Sequence, residues 1–589
     1  MIRSSEGGSH AITRRRVREH REGGKTMDQE KRAEEKMDDS GFIEEYVAAH
    51  RKELEELRAK ASALDLAGQW YVIGDEEYPS KRLQYATTSF DERLVSPRII
   101  LYPAQGAGDD DIQKAMTLCR ELGMAIAVRT GGHQYCGYSS TPPENMQVDL
   151  SETYPDYAYD EQANVLRCGV SHALGDWAAK NSENGIYLPM GVCAHVHLGG
   201  HVHTGGWGMV ARSHGILADH VLAFDIILAD GSKERIVRPE EGTTSQFNDD
   251  VYYAVLGGGK GGDFGIVTHW ELSPLRDADY PNSACYTFAW LWSKDKMEGV
   301  VRRMQQLSKL CANGDVPSDY EFMLTITGTG EMNLLPELVD KGLRELGHVN
   351  ESFSGDILVP PLIQMWMCFT NKGGAAESFD DQWFESFTAD DVCGEPLLPF
   401  REKNFPVSKG LAEHFIMHQD REMEYPFVKR SRVTMDLPES FPAIYAERMD
   451  EIMGFFGTRH GQHLVSQQQV YAGGAVAENG KAGITSYSWR DQALAMSHDS
   501  FYSSGLLFPK GRETAEEWQA KNDEVFIGQG AFADADMRMF AYTFGNRVLE
   551  EVWENFYDSA EKYERLRKIK GELDPDELFY PDQFSVKPS

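Results

Sequence analysis

Three glycine-rich runs hold the residues best able to do chemistry: Arg129-Thr130-Gly131-Gly132-His133, the stretch GGHVHTGGWG over 199–208, and GGGKGGDFGIVT over 257–268. Glycine lets successive backbone N–H groups converge on one anion, because no Cβ blocks the approach or the positive φ angles it requires. A buried pyrophosphate fits that demand. Tight turns between strands explain any single run equally well. None of the three is a Walker loop, since Lys260 lacks the GK[ST] context, and none shows GxGxxG between a strand and a helix, which disfavours an ordinary Rossmann site.

RTGGH at 129–133 is paired with GVCAHVHLGGH at 191–201, and further on come FGIVT at 264–268 and YERLRKIKGELDPDELF at 563–579. Together these runs resemble the berberine bridge enzyme-like branch of the vanillyl-alcohol-oxidase-type (PCMH) FAD oxidoreductases. YAGGAVAENG at 471–480 and MEYPF at 423–427 look most like the sugar-oxidase and antibiotic-tailoring subgroups.

The resemblance implies FAD held by two covalent bonds, from His133 to the flavin 8α-methyl and from Cys193 to ring carbon 6, and a raised flavin potential. It implies a cofactor site of Arg129, Thr130, Gly131, Gly132, Val196, Gly199, Gly200, His201, Gly205, Gly206, Gly265, Ile266 and Val267. Imidazole and thiolate are natural nucleophiles for an electron-poor isoalloxazine. Cys136 reads as packing.

Departures from the family pattern are local. His197 and Leu198 stand where relatives have VGxGGH, and Thr204-Gly205-Gly206 replaces three glycines. Val196 falls where the family tunes oxygen access, which implies an oxidase that reduces O2 to hydrogen peroxide. A base must stand opposite the flavin. Matching SWRDQALAMSHDSFY at 488–502 to the family's Arg-containing segment puts His498 at that position, with Asp499 and Tyr502 alongside, although a strand-end histidine exposed to solvent is the bland alternative. Ala533 and Asp534 replace an Asn-Tyr pair, and Lys562 the Asn of NYxRL, so a remodelled pocket is expected.

The leading function is therefore oxidation of an alcohol of a sugar or natural product. A flavin dehydrogenase or oxidative cyclase is one alternative, and a non-catalytic flavin- or carbohydrate-binding protein another. Cys193, His195, His197, His201 and His203 would suit zinc or copper, but a metal leaves RTGGH and GGGKGGDFG unexplained. No metal is expected.

These loops need elements to carry them. Ile112, Ala115, Met116 and Cys119 share one helical face that stops at Gly123, and Ala125–Val128 follows as a strand. Strands are expected over Met146–Leu150 and Val165–Val170, a helix from Ser171, and a hairpin at Asp230-Gly231 within 221–237. Strands and helices do not alternate strictly, so the class is α+β. The expected organisation is a disordered charged tail over 1–40, a helical segment over 41–90, and a PCMH-type FAD domain of two subdomains over 91–275. An antiparallel-sheet substrate domain with covering helices then runs over 276–545, and closing helices return to the FAD domain over 546–589.

A net charge of −34 argues against nucleic acid and anionic membranes as partners. Eight cysteines without a CxxC pair make zinc and a disulfide framework poor explanations. No signal peptide or membrane-spanning run is recognisable, so the chain reads as soluble and cytoplasmic by default. Oligomeric state stays open.

Overall fold

The computed structural model describes residues 41–84, 92–134, 137–328, 330–331, 358–359, 361–374, 379–397, 399–417, 427–453, 463–502, 510–532 and 548–589. The tail over 1–40, Cys136, Ala533, Asp534 and most of MEYPF lie outside them.

The chain first builds a small parallel sheet. Strand β2 (Ile99–Tyr102) runs into helix α2 (Gly108–Leu122), whose first turn carries Asp109, Asp110 and Asp111 beside the positive helix end and which stops at Gly123 at φ +64°. β3 (Ile126–Arg129) follows, and β4 (Met146–Asp149) slots between β2 and β3 in parallel register. RTGGH therefore sits where β3 leaves the carboxyl edge of a parallel sheet, the usual place for a ligand in such sheets. The fourth strand, β1 (Gln69–Val72), pairs antiparallel with β2. It comes from the segment expected to be helical, so 41–90 supplies α1 (Phe42–Ala63) and also a sheet edge.

A second sheet has the order β5-β6-β9-β7-β8, with β5 at Tyr157–Asp160, β6 at Val165–Gly169, β7 at Val221–Ile227, β8 at Lys233–Val237 and β9 at Ile266–Leu272. Between β6 and β7 run α3 (Leu174–Glu183) and α4 (Leu198–His203), which present the second glycine run. The hairpin turns at Gly231, at φ +90°.

The second domain is a seven-stranded antiparallel sheet of order β13-β10-β12-β11-β15-β16-β14. Its strands are β10 (Ala284–Leu291), β11 (Tyr320–Thr327), β12 (Leu362–Phe369), β13 (Phe400–Lys403), β14 (Phe427–Thr434), β15 (His463–Val470) and β16 (Leu494–Phe501). Both faces are buried. Tyr286, Phe322, Met365 and Met496 form a core with α5 (Lys294–Ala312), α6 (Phe441–Asp450) and α7 (Gly511–Gly528). The alternate positions Cys285, Met323, Trp366 and Ala495 join the core of the first domain, as the two-residue period of a strand requires.

A polar lock joins the domains. Buried Arg212 donates to the carbonyls of Val316, Pro317, Tyr320 and Ala472 at 2.6–2.9 Å. Glu321 on β11 returns the contact, accepting from the N–H and hydroxyl of Ser213 at 2.6 Å and from the Arg212 N–H at 3.3 Å. Burial pushes the Glu321 carboxyl up to about 7, with the Ser213 hydrogen bonds opposing. The raised folded-state value means that the protonated form is favoured in the fold. Its contribution is fully present below the unfolded value of 4.5 and is lost as pH rises through about 7. Stability is expected to fall over that window by on the order of 3 kcal/mol at most, read as a falling melting temperature. Glu321→Gln should flatten the profile, and an unchanged slope in that variant would assign it to another group.

Candidate active site

The three glycine runs converge on one cavity of about 1460 Å³, its open mouth included. Thr130, Gly131, Gly132 and His133 form one wall. Cys193, Val196, Gly199, Gly200 and His201 form a second, and Val267 also lines the cavity. Two glycines bring the first walls together. A Cβ on Gly131 would stand 2.8 Å from the His197 ring, and one on Gly199 would stand 2.6 Å from Thr130 Cγ2. Gly200, by contrast, has nothing within 4 Å on its Cβ side, so its backbone lies open toward the cavity.

The remaining cofactor candidates back the walls and do not line the cavity. Arg129 is buried and turned into the protein, where it pairs with Asp149 and donates to the carbonyls of Lys81 and Arg82 and to the Tyr102 hydroxyl. It staples the loop. Gly205 and Gly206 take φ of +94° and +75°, against Tyr487 and Leu217, and Gly265 packs on Ile226. Ile266 points into the core, opposite in the strand to Val267.

Cys193 is distinctive. Among the described cysteines Cys119, Cys168, Cys285, Cys311, Cys368 and Cys393 are buried, whereas Cys193 is partly exposed and faces the cavity. Its loop is clamped by the second domain, since the Ala194 N–H donates to the Met417 carbonyl at 3.0 Å and the Met417 N–H to Val192 at 2.6 Å.

The histidines do not converge on a common point. His201 Nε2 accepts from the Gly191 N–H at 2.9 Å, His203 Nδ1 meets the Gly199 carbonyl at 2.5 Å, and His195 is exposed. Burial pulls His197, His201 and His203 down to about 4, so all three are neutral at pH 7. No group of three or more metal-ligating side chains occurs among the described residues.

The opposite wall comes from the seven-stranded sheet. Lys429, Gln467 and Asp499 line the cavity from β14, β15 and β16. Lys429 and Asp499 are directly paired across the strands and form a buried ion pair at 3.0 Å.

His498 is one residue away and therefore on the other face. It is fully buried among Tyr445, Trp518 and Phe526, beside the Arg432 guanidinium at 3.4 Å. Burial first, and then the Arg432 charge, hold its imidazole well below its ordinary value. Tyr502 also faces the helices, packed with Val428 and Ala515. The structure thus corrects the expected base position: of His498, Asp499 and Tyr502, it brings only Asp499 to the cavity. Lys562 lies over the Tyr487 carbonyl and Asp558 and does not line the cavity.

Comparison with known proteins gives two family matches, an FAD binding domain over residues 99–236 and a berberine and berberine-like segment over 532–583. The xylooligosaccharide oxidase of Thermothelomyces thermophilus is 24% identical over 506 residues, covering 85% of this chain and 89% of that one. The chain has the FAD binding domain and the berberine-like segment of a flavoprotein.

The aclacinomycin-N/aclacinomycin-A oxidase of Streptomyces galilaeus is 31% identical to this flavoprotein over 227 residues, but that alignment spans only 37% of this chain and 41% of the relative's length. Among solved structures, glucooligosaccharide oxidase from Acremonium strictum has a TM-score of 0.66 at 18% identity, covering 90% of this chain and 99% of that one. That protein carries a 6-S-cysteinyl, 8α-N1-histidyl FAD.

The residues of this flavoprotein suit FAD. One cavity offers open glycine backbone at Gly200, an accessible thiol at Cys193 and an imidazole at His133. Reasoning from sequence missed Lys260, Lys429 and Gln467. Lys260 stood in view inside a glycine run, but Lys429 and Gln467 become visible only once the strand faces are known.

Proposed function

We propose that this flavoprotein is an alcohol oxidase of a carbohydrate or a hydroxyl-rich natural product, with FAD bonded to His133 and Cys193 and O2 as the electron acceptor. The observation that carries the reading is the pairing of opposite walls in one cavity, glycine loops with His133 and Cys193 on one side and the Lys429–Asp499 pair with Gln467 on the other. FAD, when bound, supplies the acceptor for a hydride from the carbinol carbon. Asp499 takes the proton of the substrate hydroxyl, and Lys429, paired with it, holds the carboxylate in place.

A polar substrate is favoured by the sheet face itself. Gln364, Thr325, Gln467, Ser497 and Ser431 are successive partners in one row across five strands, all on the face turned to the first domain. Gln364 Nε2, Thr325 Oγ1, Gln467 Nε2 and Ser431 Oγ are buried without a hydrogen-bond partner among the described residues. Of this row only Gln467 lines the cavity, and its unsatisfied buried amide costs about 1–3 kcal/mol, which a substrate hydroxyl or ordered water would offset. Val196, facing the cavity from the second wall, suits the oxygen access expected there.

Anaerobic addition of mono- and oligosaccharides and of hydroxylated polycyclic glycosides is expected to bleach the flavin absorbance with one class. Readmitting air should then restore the colour with equimolar peroxide. Bleaching that air does not reverse would point to another acceptor, and no bleaching with any compound would end the alcohol-oxidase reading.

A further inference from the structure

Lys260 is the lone side chain of length within Gly257–Gly262. It is 5% exposed and lines the cavity. Its ammonium donates to the Tyr138 carbonyl at 3.0 Å and pairs with the Asp582 carboxylate. Asp582 belongs to the segment after α8 (Ala560–Leu573). That segment is docked on the first domain: the Ile126 N–H donates to the Leu578 carbonyl at 2.7 Å, Thr141 Oγ1 to Pro581 at 3.0 Å, and the Val586 N–H to Asp263 at 3.4 Å. The end of the chain thus brings a carboxylate to the back of the cavity wall.

Lys260 and Lys429 are the only lysines or arginines among the described lining residues. Lys429 is on the sheet with Asp499, so Lys260 is the one full positive charge of that kind on the glycine side. Backbone N–H groups of the glycine runs can cradle a diphosphate but bring no full charge to balance it, which an ammonium does. Bulk does not intervene either. A Cβ on Gly261 would find its nearest neighbour at 3.7 Å, and Gly200 has none within 4 Å.

We propose that Lys260 is the cation that binds the FAD diphosphate, and that Asp582 tunes it by competing for the same ammonium. The inference rests on the FAD assignment and adds a sign to it. If the two anions compete, removing Lys260 weakens FAD and removing the Asp582 charge strengthens it. If the pair is only a structural latch, both changes weaken FAD together.

The test uses the full-length chain with His133→Ala and Cys193→Ala, which leaves FAD held non-covalently, and follows free-flavin fluorescence on dilution. Lys260→Met is expected to raise the FAD dissociation constant about tenfold or more, the range of one charge-assisted contact to phosphate. Lys260→Arg should restore most of the affinity, and Asp582→Asn should lower the constant below that of the parent. Lys260→Met with Asp582→Asn removes both charges together, avoids a buried unpaired ion and should match Lys260→Met. Riboflavin, which lacks phosphate, should bind the parent and Lys260→Met alike. Equal losses for FAD and riboflavin, or weaker FAD binding in Asp582→Asn, would overturn the proposal. A parent that takes up no FAD at all would instead overturn the cofactor assignment beneath it.

Discussion

Acid precipitation of the wild-type protein is expected to leave its yellow chromophore in the pellet, and the His133→Ala, Cys193→Ala double variant should release all of it to the supernatant. Each single variant should keep a covalent flavin through the remaining bond, with a shifted visible spectrum. The structure explains why Cys193 is the candidate thiol. Burial pushes Cys311 up to about 11 and Cys168 and Cys393 up to about 12, so these stay protonated, out of reach and unreactive. Cys193 alone among the described cysteines is accessible from the cavity. His133 has a comparable position on the adjoining wall. A colourless wild-type pellet, or a double variant whose flavin still resists acid, would refute attachment at these two residues.

The flavin half of the site was legible because its signals are local. A glycine run marks a backbone that must approach something closely, and its order along the chain survives folding. Thus residues 130–133, the loop around Cys193 and Val267 reach one cavity. Arg129 shows the limit of local reading. An arginine at the head of a glycine loop looks like a phosphate ligand, but only the fold reveals Asp149 and the carbonyls that engage it. β1 was hidden for a related reason, since its four residues acquire strand character only through their pairing with β2.

The substrate half was poorly legible because both faces of the second sheet are buried. A half-exposed strand alternates apolar and polar residues, and the pattern names the face. β16 reads LAMSHDSF, with four polar residues in succession, because one parity meets the helices and the other meets the first domain. His498 is polar for the sake of the helix side, where Arg432 also pairs with Asp523 of α7. Asp499 is polar for the sake of the cavity. Their order in the sequence does not distinguish the two roles, and a shift of one residue exchanges them.

That exchange leads to the sharpest contrast in expected activity. Asp499→Asn should lower kcat by about 10²–10⁴-fold, the usual contribution of a positioned general base. The amide keeps the size of the side chain but cannot take a proton at neutral pH. It also breaks the buried Lys429–Asp499 ion pair, and breaking a buried pair costs roughly 3–5 kcal/mol. Retained visible absorbance and a melting curve are therefore needed beside the rate, as is Asp499→Glu, which preserves the charge and should recover part of the turnover. His498→Gln should behave oppositely. Replacing an imidazole packed against Tyr445, Trp518 and Phe526 should lower the melting temperature, while the rate per folded, flavin-loaded molecule stays near that of wild type. If Asp499→Asn turns over within threefold of wild type, or if His498→Gln loses activity with its fold and flavin intact, the proton passes through the other face of the sheet and the assignment of Asp499 fails.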